Sequence, residues 1–137
     1  MATVIRAEIS EKNKYWIDKH RHYELKHFCL QYPSWKRAYV ELDGFEGRGE
    51  DVYSSTKLPG DPTGKVVEMR DVYLERMDLV RRIAFEADPE LATYIFRAVT
   101  EGLSYTYLRT KLAIPCGRDM YYDRYRRFFW LLSQSRA

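Results

Sequence analysis

The sequence predicts an all-α fold, and three observations carry that prediction. Apolar residues recur at spacings of three and four along most of the chain. No stretch alternates as a half-buried strand would. Asp-Pro steps, Ser and Gly fall where helices should begin and end. With 137 residues and 45% hydrophobic content, the chain can build one core, as a single domain or a small domain with an appended arm.

Ser10 can cap a first helix running toward Leu30, with Tyr15, Trp16, Tyr23, Phe28 and Leu30 as its apolar material. The Tyr32-Pro33 step ends it, because proline disfavours an α conformation in the preceding residue. Pro33 suits the first turn of a short second helix, Ser34 to Leu42, which carries Trp35, Ala38 and Tyr39. Residues 1–42 thus read as a helical arm. The segment 43–60 holds four glycines and one proline without a sustained period, and reads as a flexible or functional loop.

A helical domain follows over 61–137. Asp61 stands as N-cap and Pro62 at the first position of a long helix, about 62–87. Its stripe is Val66, Met69, Tyr73, Met77, Val80, Ala84 and Ala87. Asp88-Pro89 opens the next helix, 89–101, with Leu91, Ile95, Ala98 and Val99 inward and Gly102 at the left-handed C-cap. Ser104 caps a short helix, 104–112, with Leu108 and Leu112 on one face. Ala113 to Gly117 turns the chain into a last helix, 118–133.

Charge is unevenly placed. Met1 to Leu42 holds 8 basic and 5 acidic residues, Asp43 to Glu101 holds 8 and 13, and Gly102 to Ala137 holds 7 and 2. A basic end on a nearly balanced chain makes nucleic acid the first candidate partner. Two distant cysteines, Cys29 and Cys116, offer no C-x-x-C site and no secreted disulfide scaffold. No apolar run has the length of a membrane span and no signal-peptide h-region opens the chain, so a cytoplasmic protein is expected.

The 104–133 region meets the requirements of a helix-turn-helix: Leu108 and Leu112 one turn apart, Ile114 as the apolar plug, Cys116 at the capping position and Met120 as the early inward residue. The expected DNA-contacting set is Ser104, Tyr105, Arg109 and Lys111 on the first helix, then Arg118, Tyr121, Tyr122, Arg124, Arg126 and Arg127 on the second. Arginine reaches guanine O6 and N7 bidentately, whereas tyrosine hydroxyls, Arg126 and Arg127 suit phosphates. Tyr125, Phe128, Phe129 and Leu132 are expected to pack inward.

The order of features resembles the ArpU/RinA-like family of phage transcriptional regulators, itself similar to region 4 of sigma factors. The resemblance rests on the Tyr32-Pro33 step, the Asp61-Pro62-Thr63 element before a long helix, and the run from Ser104 to Phe129. It implies a sigma-like helix-turn-helix controlling phage or mobile-element genes. By that analogy Arg118, Tyr121, Tyr122 and Arg124 lie on the recognition helix. The Pro115-Cys116-Gly117 turn and the aromatic Phe128-Phe129-Trp130 depart from the pattern.

Other readings compete. His20 and Glu24 stand four apart on one helix, the spacing of a metal pair, but they read as exposed polar residues and no metal or other cofactor is expected. Cys116 beside Arg118 at a helix start could be a reactive thiol, although a small packed or capping residue is the simpler reading. Nothing resembles a nucleophile elbow or phosphate loop, so no catalysis is expected. The serious rival is an interaction module in which Tyr15, Trp16, Tyr23, Trp35 and Tyr39 dock RNA polymerase, a host defence factor or a second copy in a homodimer.

Overall fold

The computed structural model describes residues 11–53 and 62–136, and over these the chain is all-α. The described helices are α1 (Lys19–Leu30), α2 (Tyr32–Tyr53), α3 (Pro62–Ala87), α4 (Ala92–Glu101), α5 (Tyr105–Lys111) and α6 (Arg118–Ser135). None of them is long and apolar enough to cross a membrane.

Several helix boundaries follow the expected chemistry. Pro62 opens α3, where its missing N–H would have had no helical partner. Ser104 caps α5, its Oγ accepting the Tyr107 N–H. Gly102 ends α4 at φ 73°, a conformation that costs glycine nothing sterically. Other boundaries differ. Asp18 caps α1 through the His20 N–H, so that helix starts at Lys19 and not near Ser10, which lies outside the described residues along with Asp61. At the Asp88-Pro89 step, the Asp88 Oδ1 accepts from the N–H groups of Glu90 and Leu91. That local bonding holds the chain in a turn until Ala92.

The larger correction concerns 43–60. Helix α2 continues to Tyr53, and residues 54–60 lie outside the described residues. Each glycine there costs about 1 kcal/mol against alanine, yet extending an existing helix is cheaper than nucleating one. The turn begun at Tyr32 therefore propagates past the expected end at Leu42.

The chain divides into two units. One joins the residues through Gln31 to those from Val80 onward; the other is Tyr32–Leu79. In the first, α1 packs on α4 and α6, so the first helix of the expected 1–42 arm is part of this core, while the arm's residues from Tyr32 belong to the second unit. Leu25, Cys29, Val80, Ile83, Leu91, Ile95, Leu108, Phe128 and Leu132 are all at most 2% exposed. The second unit buries Tyr32 and Trp35 of α2 with Val66 and Met77 of α3. Arg70 donates to the Tyr39 hydroxyl and Arg76 lies over the Trp35 ring, 5.8 Å from its centre. Of the expected α3 stripe, Met69 is instead 47% exposed, and Ile83 joins the core.

Candidate nucleic-acid interface

Helix α5, the turn after it and α6 form the corner from which DNA contacts were expected. The α5 C-terminus closes through the Leu112 N–H to Leu108 O, and Ala113 then adopts φ 53°. This left-handed residue swings the chain so that Ile114 is 1% exposed and its N–H also reaches Leu108 O, at 3.0 Å. Ile114 is thus the buried apolar residue of this turn. Gly117, not Cys116, occupies the N-cap of α6. The Tyr105 hydroxyl donates to Cys116 O at 2.8 Å, fastening the start of α5 to the approach of α6.

Helix α6 buries Tyr121, Tyr122, Phe128, Phe129 and Leu132. Edge-to-face contacts link Tyr121 to Tyr122, Tyr125 to Phe129 and Phe128 to Phe129, each at 5.0 Å. His22 of α1 meets Phe129 edge-on at 4.8 Å. Burial raises the phenol pKa values of Tyr121 and Tyr125. Phe128, Phe129 and Leu132 pack inward as expected, with Tyr125 half-buried beside them.

The expected contact set divides sharply. Tyr105, Tyr121 and Tyr122 are buried, and Met120, expected inside, is 45% exposed. Adjacent helix residues point about 100° apart, so at the start of α6 the buried position is Tyr121 and not its neighbour Met120, while the expected inward residues farther along keep their places. Burying two tyrosine rings removes far more apolar area from water than burying one methionine, and their edge-to-face packing adds to this.

Arg124 does not extend outward. Its Nε donates to Asp88 Oδ2 at 2.9 Å, and Asp123 takes a second bond. The hydrogen bond to Asp88 is the leading reason its pKa is raised. Arg127 donates to the Tyr15 hydroxyl at 3.2 Å and to Glu86 O. Arg126 is half-buried and engaged within the chain. Ser104 is committed as a cap. Arg109, Lys111 and Arg118 remain exposed, and no described carboxylate lies within ion-pair distance of them. Arg118 sits over the Tyr105 ring, 5.0 Å from its centre.

No family model, curated protein or solved structure matches this chain.

The remaining surface of α6 is mixed. Asp119, Met120 and Asp123 lie on the side away from the buried tyrosines, which places two carboxylates near its N-terminal end. Farther along, Tyr15 packs on Trp130 with ring centres 5.7 Å apart, so the turn at Asn13–Trp16 covers part of the helix. Beside Arg127, a cleft of about 380 Å³ is lined by Tyr15, Glu86, Asp88 and Arg124, with its guanidinium groups already bonded to oxygen.

Among the described residues, no group of three His, Cys, Asp or Glu could hold a metal. Glu24 is paired with Arg21. Arg21 also donates to Ser133 Oγ and O and to Arg136 O, tying α1 to the end of α6. The Cys116 thiol pKa is raised by burial and by Asp88, with Arg124 and Arg109 opposing. An activated thiol would require the opposite net shift. Of the rival docking aromatics, Tyr15 and Trp35 are buried, while Trp16, Tyr23 and Tyr39 are half-buried.

Proposed function

We propose that this chain binds double-stranded DNA, using α5, the turn and the start of α6 as a helix-turn-helix that grips the phosphate backbone. The observation that carries this reading is the exposed trio Arg109, Lys111 and Arg118, free of carboxylate partners among the described residues. The surrounding unit adds to it. Its described residues hold 15 Lys/Arg against 9 Asp/Glu, a net +6, while Tyr32–Leu79 holds 7 against 10, a net −3. Asp119 and Asp123 repel phosphates, and at base edges a carboxylate accepts only from an amino group such as cytosine N4. Backbone contact is therefore better supported than base reading by α6. Regulation of phage or mobile-element transcription rests on the family resemblance, and RNA polymerase as a partner belongs to the rival reading of an aromatic docking surface.

Fluorescence anisotropy with a labelled duplex across a salt series tests the reading. Three neutralised phosphates give a slope of log K against log salt of about −3, or roughly 40-fold weaker binding between 50 and 200 mM salt. Replacing Arg109, Lys111 and Arg118 together by alanine should abolish most of that dependence. Unchanged affinity and slope in the triple variant would count against the proposal.

A further inference from the structure

Among its described residues, the second unit presents an exposed apolar strip on α3. On α3, Met69 is 47% and Val72 43% exposed. Lys65, Glu68 and Glu75 around them are exposed, and among the described residues they form no ion pair. Arg76 is half-buried, with its guanidinium over Trp35 and no carboxylate partner among the described residues. Positions 65, 69, 72 and 76 recur at spacings of three and four, so they share one side of the helix, with Glu68 and Glu75 along its edge.

We propose that this strip is where a second copy of the chain docks, pairing α3 antiparallel with its counterpart about a two-fold axis beside Val72. The charge order selects this occupant. Arg76 lies four residues beyond Val72, about 6 Å along the helix, and Glu68 lies four residues before it. Antiparallel pairing about Val72 therefore brings Glu68 of each copy level with Arg76 of the other, and the symmetry makes this pair twice. Lys65 comes within about one turn of Glu75 of the other copy. Val72 meets its own counterpart at the axis, and Met69 covers the aliphatic stem of Glu75. A parallel pairing would instead set Glu68 against Glu68 and Arg76 against Arg76. The unit's net −3 acts at long range. It is screened beyond about 8 Å at physiological ionic strength, leaving the local pairs to decide.

Sedimentation velocity on the full chain reads the outcome, with far-UV circular dichroism confirming that each variant is helical. The wild type should sediment as a dimer at micromolar to hundred-micromolar concentrations. Glu68→Lys and Arg76→Glu should each raise the dissociation constant at least tenfold, because each homodimer then faces like charges twice. An equimolar mixture of these two variants should recover a dimer, since both contacts between position 68 of one copy and position 76 of the other are again opposite in sign. A wild type that stays monomeric throughout, or two helical variants that fail to associate when mixed, overturns the proposal.

Discussion

Asp88→Ala should unfold this protein more readily than any single surface change, and its partner Arg124 makes the prediction informative about function. The Asp88 carboxylate is nearly buried and holds three donors: the N–H groups of Glu90 and Leu91 through Oδ1, and Arg124 Nε through Oδ2. Losing the acceptor for the backbone groups costs about 1–2 kcal/mol, as for a lost helix cap. Losing the charge-assisted bond adds about 1–1.5 kcal/mol, reduced because Arg124 keeps a third of its surface in water. The total is about 3 kcal/mol. Asp88→Asn keeps an oxygen for the backbone and should cost about 1 kcal/mol, and Arg124→Ala a similar amount. Urea denaturation of the two single alanine variants and the double variant should return a coupling energy of about 1 kcal/mol. Additive variants would refute the strut. So would an Arg124→Ala protein with an unchanged denaturation midpoint and roughly tenfold weaker duplex binding, because Arg124 would then be a DNA contact.

Other perturbations probe the same unit. His22 is buried against Phe129, and burial, with Lys26 nearby, lowers its pKa to about 4. The unfolded chain takes up this proton near pH 6.5 while the native one refuses it until about 4. Stability should therefore fall across that window by about 2–3 kcal/mol as the pH drops, and His22→Phe should flatten that part of the stability–pH curve. Ala113→Gly relieves a left-handed alanine and should raise stability by about 0.5–1 kcal/mol, seen as a higher urea midpoint, after the added freedom of the unfolded chain is counted. Burial pushes the Cys29 thiol up to about 12 and raises that of Cys116. Native protein at about pH 8 should thus react with iodoacetamide more slowly than free cysteine at both sites, as peptide mass mapping would show.

Punctuation made much of the fold legible. Pro62, Gly102 and Ser104 each impose a local conformation that no distant contact needs to supply, and all three stand where the sequence placed them. The inward face of α6 differs from the expected one only in its first turn, where the rings of Tyr121 and Tyr122 are buried in place of Met120. With tyrosine counted by its ring, Tyr121, Tyr122, Tyr125, Phe128, Phe129 and Leu132 make an unbroken stripe at helical spacing, with Met120 outside it. The bond from Arg124 to Asp88 had no local signal. Asp88 lies 36 residues away, and only the packing of the α3–α4 corner against α6 brings the two together. Likewise, nothing near Arg127 in the sequence announces Tyr15, 112 residues distant.

The discontinuity of the first unit bears on how the chain acquires its shape. The buried side of α1, with Leu25, Phe28 and Cys29, precedes Tyr32–Leu79 in the chain, whereas its neighbours in α4 and α6 follow that segment. Closing this core joins residues separated by the whole of Tyr32–Leu79, so its formation carries the entropic cost of a long loop and should be slower than that of a core built from sequence neighbours.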